Sequence, residues 1–342
     1  MTKDSKSGNK AQITLKNPKK AHFPHIHNEA APFNKLAQLP PKNRKASKKA
    51  PLYKRAKAKY YTHRIVGPMC WLDSPCHKTY QFAYHCCNQL IQTENKVKGK
   101  YCNSRICNVC SRIRTAKLMN GYYEPLKKLG KLEFTTLTRR NVAGNILRET
   151  INEMQKKLTL ILRNIREKKK IDFSGIIKLE CTYNSERDDY HPHFHILTNK
   201  DIGNLIINEW LKRYDKEIVN RLAQHVVIAN DNSTKEMFKY VTKFLEKDNG
   251  EESKEPTLNI YVSALDTIMV ALRNKRTFQA IGSLRKLKVK EEVEDLEVQE
   301  NLEIAFEEIK HWNYDYTKND WVHLGERLTL YEPPETIFQI FI

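Results

Sequence analysis

The crowding of cysteines into one segment constrains this chain more than any other feature of its sequence. Seven of the eight cysteines lie between Cys70 and Cys110, and the Lys-rich N-terminus has no apolar segment typical of an export signal. A disulfide scaffold is therefore not expected, and metal ligation is the better interpretation. The strongest pattern is CxxxxCxxC, formed by Cys102, Cys107 and Cys110. Its CxxC half can place two thiolates on one ion.

A structural zinc ion takes four ligands, so this triplet needs one more. Cys87 lies 15 positions before Cys102, across a loop long enough for a hairpin, and is the preferred fourth ligand. Other donors stay open, with the histidines less favoured: Cys86, Cys70, Cys76, His77 and His85. Cys181 lies in an apolar stretch and is predicted to be a buried core thiol.

The charge of the chain favours a polyanionic partner. Its 60 basic and 40 acidic residues give a net charge of +20. Residues 1–59 hold 16 basic and two acidic residues with no sustained apolar period, so we predict a disordered arm over 1–62 that lies on phosphates. Residues 290–310 carry nine acids and are expected to form a solvated amphipathic helix. No apolar run approaches the ~20 residues that span a bilayer.

From Lys131 onward the apolar pattern predicts an ordered set of strands and helices. Strands are predicted at 131–138, 174–183, 192–198 and 224–229, and helices at about 146–170, 202–214 and 233–247. The order is βαββαβα. It is typical of an α+β fold in which an antiparallel sheet of the split βαβ type has its helices on one face.

The motif His191-Pro-His-Phe-His195 on the third predicted strand is the most informative in the chain. Side chains alternate along a strand, so His193 and His195 share a face while the Phe between them points into the core. Glu180 on the preceding strand lies beside them if the two strands pair antiparallel. Two imidazoles and a carboxylate suit Mn²⁺ or Mg²⁺, although zinc also accepts these ligands.

The last predicted helix supplies a candidate nucleophile. Glu236, Tyr240 and Lys243 lie on one stripe by the i, i+4, i+7 rule. An ordinary phenol is a poor nucleophile at neutral pH, because its pKa is about 10. A nearby metal ion or the Lys243 ammonium would favour the phenolate form of Tyr240, or Lys243 would stabilise the pentavalent phosphate.

As a set, these residues resemble the HUH endonuclease superfamily, and within it the replication initiator proteins of rolling-circle plasmids. The resemblance runs from about Tyr84 to Leu287 and rests on the order of the motifs. Its landmarks are the cysteine pattern with Arg112 and Arg114, the strand 134–138, Glu180–Tyr183, the histidine motif, Tyr240-x-x-Lys243 and Leu272–Arg276. Asn108 stands where the family often has Pro, and the acidic segment after Glu291 matches no part of it.

The resemblance implies a metal-dependent DNA endonuclease and strand transferase. In that family the paired histidines hold the divalent ion, a role that falls on His193 and His195. Tyr240 would cut one strand and leave a 5′-phosphotyrosine and a free 3′-OH, and Glu236 would activate water at the end of a replication round. Basic side chains would hold the origin DNA: Arg105, Arg112, Arg114, Arg139 and Arg140.

The expected organisation is a basic arm at 1–62, a zinc-binding module at 63–125, a nuclease core at 126–250 and a helical accessory region at 251–342. Expected partners are origin DNA, single-stranded or in a hairpin, a host DNA polymerase, a host helicase and a second copy of the chain on DNA. The expected location is the bacterial cytoplasm. Two alternatives stay open, an HUH transposase or mobilisation relaxase and a non-enzymatic zinc-module DNA-binding regulator.

Overall fold

The computed structural model describes residues 50–93, 96–238, 246–247, 257–287, 289, 296–297, 309–335 and 337–342. The helices are α1 (Ala50–Met69), α2 (His77–Tyr84), α3 (Asn108–Lys128), α4 (Leu147–Glu167), α5 (Gly203–Leu211), α6 (Asp231–Glu236) and α7 (Val262–Ala271). The strands up to the histidine motif are β1 (Gln89–Thr93), β2 (Lys96–Gly99), β3 (Leu132–Thr138), β4 (Gly175–Asn184) and β5 (Asp189–Asn199). The later strands are β6 (His225–Ile228), β7 (Glu246–Lys247), β8 (Thr257–Tyr261), β9 (Phe278–Ile281), β10 (Leu296–Glu297), β11 (Lys310–Asp315), β12 (Asp320–His323), β13 (Glu326–Arg327) and β14 (Ile337–Phe341).

The central sheet contains the strands predicted from the sequence. Its order is β6-β3-β5-β4-β9, and each neighbouring pair is antiparallel. The strands and helices predicted between 131 and 228 are confirmed, with ends shifted by up to three residues. The mixed α+β class with an antiparallel sheet is therefore confirmed.

Helices cover both faces of this sheet, which corrects the prediction that they lie on one. The core on one face combines α4, α5 and α7 with alternate residues of β3, β4 and β5. On the other face α3 packs Leu118, Tyr122 and Leu126 against Leu132 and Ile176. These three α3 residues recur every four positions, so the sequence carried the signal for a buried helix face.

The C-terminal region is built mainly of strands. It was predicted to be helical, but α7 is its one α-helix among the described residues, and β11 pairs with β1 of the cysteine-bearing segment. Trp312 and Tyr314 alternate along β11 and are buried, a period-two pattern that favours a strand. Of the predicted acidic helix at 290–310, Leu296–Glu297 form the short strand β10 and most other residues lie outside the described part.

Two predicted boundaries also differ from the structure. Residues 50–62, assigned to the arm, form the first turns of α1, because buried side chains such as Ala56 and Thr62 pack this helix into the cysteine-bearing core. The helix predicted at 233–247 ends as α6 at Glu236, and residues 246–247 are extended in β7. The rest of the arm lies outside the described residues.

A substitution at Gly175 tests how closely β4 and β5 approach each other. A Cβ atom at Gly175 would overlap the carbonyl oxygen of Leu197, whereas one at Gly67 in α1 meets its nearest atom, a Tyr84 ring carbon, at 3.7 Å. We expect Gly175→Ala to lower the free energy of unfolding by about 2 kcal/mol, because the backbone must move apart. Gly67→Ala should be neutral or stabilising, and urea titration of both variants measures the difference. Equal stability of the two variants would contradict this packing.

Candidate metal centres

Four cysteines converge around the start of α3. Cys86 follows α2, Cys102 follows β2, Cys107 is the N-cap of α3 and Cys110 lies in its first turn. Their Sγ atoms all lie within 4.8 Å of one another, and Cys110 Sγ is 3.6 Å from the Sγ atoms of both Cys86 and Cys102. A tetrahedral zinc site with Zn–S bonds of about 2.3 Å places its sulfurs about 3.8 Å apart. The quartet therefore fits a structural zinc ion.

The structure brings Cys86 into this quartet in place of Cys87, which the spacing had favoured as the fourth ligand. Cys87 adopts the left-handed conformation with φ of 58°, and its N–H donates to the Lys100 carbonyl at 2.9 Å. Its carbonyl accepts a hydrogen bond of 2.6 Å from the Trp321 indole. Cys87 thus joins α2 to the β1–β2 hairpin and to β12, while Cys86 faces the other thiols. The remaining candidate donors, Cys70, Cys76, His77 and His85, also lie outside this quartet.

Hydrogen bonds among the thiols favour negative charge on one sulfur of the quartet, that of Cys107. Hydrogen bonds to Cys107 and burial raise the pKa values of Cys86, Cys102 and Cys110. The backbone N–H of Ser104 donates to Cys102 Sγ at 3.4 Å, and that of Cys102 donates to Cys86 Sγ at 3.5 Å. Burial raises the pKa of Cys107, but hydrogen bonds from Cys102 and Cys110 outweigh burial and hold this pKa well below its usual value. Lys59 is fully buried beside the quartet. Burial lowers its pKa, and interaction with the cysteines offsets only part of this shift.

A second group of donors lies on the α3 face of the central sheet. The register of β4 and β5 places Glu180 opposite His193 and Lys178 opposite His195. The Nε2 atoms of the two histidines are 3.4 Å and 3.6 Å from the same oxygen of Glu180, Oε2. The predicted antiparallel pairing thus brings Glu180, His193 and His195 together, while the donor group does not include His191.

Hydrogen bonds fix the orientation of both imidazoles. Nδ1 of His193 lies 3.0 Å from the His191 carbonyl, and Nδ1 of His195 lies 3.2 Å from the Thr136 hydroxyl. When Nδ1 carries the proton and donates it to such a partner, the lone pair of Nε2 is left for a metal ion. Both Nε2 atoms face Glu180, so the two rings are oriented as ligands.

Lys178 belongs to this site and was missed in the sequence. It lies two positions before Glu180 on the same face of β4, and its ammonium forms an ion pair with the Glu180 carboxylate. The same Nζ donates to the backbone carbonyl of Glu236 at 3.0 Å. Lys178 therefore connects the donor group to the end of α6. The i, i+2 spacing from Glu180 was the signal that could have identified it.

The electrostatics of the site keep the carboxylate charged and a histidine neutral. Burial raises the pKa of Glu180, but the hydrogen bonds to His193 and His195 and the ammonium of Lys178 hold it far below its usual value. Burial lowers the pKa of His195. An ionised carboxylate with neutral imidazoles is the form that binds a cation. This donor set fits Mn²⁺ or Mg²⁺ bound also by phosphate oxygens or water.

Of the predicted catalytic residues, Glu236 lies in the described part of the chain. Glu236 ends α6 and is half-buried, with its carbonyl held by Lys178. Met237 and Phe238 then pack on the same sheet face as the donor group. Tyr240 and Lys243 lie outside the described residues.

The predicted DNA-binding arginines divide into two groups. Arg105 donates to the carbonyls of residues 272 and 275, Arg114 donates to the carbonyl of residue 103, and Arg139 pairs with the Glu153 carboxylate at 3.0 Å. These three side chains thus have structural partners. Arg112 and Arg140 are exposed and remain accessible to a ligand.

Fold and donor groups together define a mixed α+β protein with two groups of side chains that could each hold a metal ion. The family model described as replication protein matches residues 94–201, which include three cysteines of the quartet and all of the Glu–His–His group. Within the described residues, no helix combines the length and apolar character needed to span a bilayer. No solved structure shows a significant match to the chain.

Curated relatives identify the family. A Protein rep of Staphylococcus aureus is 30% identical over 177 residues, which cover 46% of this chain and 75% of the relative. A Protein rep of a Bacillus species is 36% identical over 110 residues, 29% of this chain and 34% of the relative. One of Streptococcus pneumoniae is 29% identical over 104 residues, 28% and 32% of the two chains. This chain belongs to the Rep family of replication proteins, which confirms the resemblance to plasmid replication initiators.

The two adjacent cysteines provide a test of the quartet. We expect Cys86→Ser to lose the metal ion bound by the thiols, because it removes one of four ligands, whereas Cys87→Ser should retain it. Metal content per chain, measured by mass spectrometry after dialysis against zinc, reports the difference. Loss of the ion in Cys87→Ser but not in Cys86→Ser would contradict the assignment.

Proposed function

We propose that this protein initiates rolling-circle replication of a plasmid by nicking and rejoining one strand of the origin DNA. The convergence of Glu180, His193 and His195 on one face of an antiparallel sheet carries the proposal. Membership of the replication protein family supports it. We further propose that the sheet is of the HUH type and that the cysteine quartet holds a structural zinc ion.

In the proposed nicking step, the phenolate oxygen of Tyr240 attacks the scissile phosphorus in line. A bond forms between Tyr240 and phosphorus, the bond from phosphorus to the 3′ oxygen breaks, and that oxygen takes up a proton to become a 3′-OH. A bound Mn²⁺ or Mg²⁺ would polarise the phosphate and offset its developing charge. The phosphotyrosine conserves the bond energy, so rejoining requires no nucleoside triphosphate.

Residues around the nucleophile have separate proposed roles. Lys243 favours the phenolate form of Tyr240, and Glu236 activates water when the replication round ends. Lys178 acts as a positioning residue, because it contacts both Glu180 and the Glu236 carbonyl, four positions before Tyr240.

After nicking, the free 3′-OH primes a host polymerase, and a host helicase unwinds the duplex.

A covalent adduct on origin DNA tests the proposal. Single-stranded oligonucleotides that tile the plasmid origin are labelled at either end and incubated with the protein and Mn²⁺. We expect the 3′-end label to move with the protein on denaturing gels, because Tyr240 retains the 5′ phosphate. The 5′-labelled fragment should be shorter and extendable by a DNA polymerase. Tyr240→Phe should form no adduct, and Tyr53→Phe, an exposed tyrosine of α1, should behave as the wild type.

The outcomes separate the alternatives. An adduct in Tyr240→Phe would assign the nucleophile to another residue. Cleavage at transposon ends or a transfer origin, and not at the replication origin, would favour a transposase or a relaxase. Duplex binding without an adduct on any oligonucleotide would favour the non-enzymatic regulator.

The metal requirement gives a second prediction. Glu180→Gln should raise the Mn²⁺ concentration for half-maximal adduct formation by about tenfold or more, because it removes the charged ligand. Glu186→Gln, in the exposed turn between β4 and β5, makes the same change of charge and should leave that concentration unchanged. Circular dichroism identifies a temperature at which both variants are folded. An unchanged Mn²⁺ requirement in folded Glu180→Gln would contradict the proposed ligand set.

A further inference from the structure

A groove lined by arginines runs between the cysteine-bearing segment and the edge of the central sheet. Its cavity has a volume of about 630 Å³ and is bordered by α3, the loop after α7, and β9. Five arginines line it: Arg105, Arg114, Arg273, Arg276 and Arg285. No carboxylate is present among the described residues of this lining. We call this feature the arginine groove.

The arginines of the groove have two different functions. Arg105 and Arg114 are tied to backbone carbonyls and form part of the wall. Arg273, Arg276 and Arg285 are exposed, and no carboxylate of the described residues lies within ion-pair distance of them. A guanidinium stays charged at any physiological pH and can donate two parallel hydrogen bonds to the oxygens of one phosphate. Among the residues that the structure describes, these three guanidinium groups have no acidic partner, so the groove offers three cations to an anionic ligand.

The positive path continues around the sheet edge. A second cavity, of about 610 Å³, shares Arg276 and Arg285 with the groove and adds Arg163 and Arg166 of α4. Its lining also holds one acid, Glu167, which pairs with Arg163 at 3.9 Å. The first cavity is lined by Phe278 and Ala280, on the α3 face of the sheet, and the second by Gln279 and Ile281, on the α4 face. Because β9 is the edge strand, the two cavities meet around that edge.

The inner end of the groove lies beside the Glu–His–His donors. Phe278 of the groove lining pairs with Lys178 across β9 and β4. Lys178 in turn contacts Glu180. A DNA backbone held in the groove would therefore lie one β-strand away from the proposed metal ligands, on the same face of the sheet.

We propose that the arginine groove binds the phosphate backbone of single-stranded DNA that leads to or from the Glu–His–His site. This inference rests on the proposed nuclease function. The path around an edge strand favours a single strand, because duplex DNA has a persistence length of about 50 nm and cannot follow so sharp a turn. Arginines that contact only phosphates do not read the bases. We therefore expect this contact to be independent of the DNA sequence.

Binding of a fluorescein-labelled oligothymidylate, measured by anisotropy without added Mn²⁺ or Mg²⁺ at several salt concentrations, tests the proposal without cleavage. The variant R273Q/R276Q/R285Q removes the three exposed charges. With about 0.7 counterions released per phosphate on single strands, we expect the slope of log affinity against log salt to decrease by about 2. Affinity at low salt should fall by about tenfold or more.

The matched control is K156Q/K200Q/K216Q. It removes the same number of charges from exposed lysines that line neither cavity, and it should keep the wild-type slope. If the triple arginine variant does not fold, the single variant Arg276→Gln should lower the slope by about 0.7. Unchanged affinity and slope in a folded arginine variant would overturn the proposal.

A labelled hairpin duplex forms the second arm of the experiment. A loss confined to the hairpin would overturn the assignment to a single strand. The two proposals can fail separately. An arginine variant with weaker binding in a protein that forms no adduct would support the groove and reject the nuclease. If the protein forms the adduct and the arginine variant binds DNA like the wild type, the nuclease proposal would be supported and the groove proposal rejected.

Discussion

The antiparallel register of β4 and β5 is the constraint on which the site depends. It sets Glu180 opposite His193 and Lys178 opposite His195, so that four polar side chains meet on one face while Phe194 enters the core on the other. A slip of one residue would exchange the two faces and bury the histidines in the apolar core. The close contact of Gly175 with β5 and the apolar residues of the opposite face hold this register.

α3 connects the two donor groups. Its first turn carries Cys110 of the cysteine quartet, and its later turns bury Leu118, Tyr122 and Leu126 on the face of the sheet that carries the histidines. A metal ion that fixes the start of α3 therefore also fixes a helix beside the Glu–His–His group. The arginine groove lies where α3 passes the edge of that sheet. α3 continues through residue 125, so the cysteine-bearing segment and the central sheet share this helix.

The sequence was sufficient where local periodicity decides the structure. Alternation along β5 predicted that His193 and His195 share a face, and the predicted antiparallel pairing brought Glu180 to them. It was insufficient where distant segments meet. The choice between Cys86 and Cys87 depends on a left-handed turn at Cys87, and the pairing of β11 with β1 joins residues more than two hundred positions apart. The sequence did not predict the role of Lys178, because its hydrogen bond to the Glu236 carbonyl joins β4 to a separate helix.

We infer that Glu180, His193 and His195 hold one divalent cation. A crystal grown with Mn²⁺ and measured at a wavelength where manganese scatters anomalously tests it most directly. We predict one anomalous peak within bonding distance of Oε2 of Glu180 and of Nε2 of both histidines. A well-ordered site without a peak, or a peak bound by other residues, would contradict it.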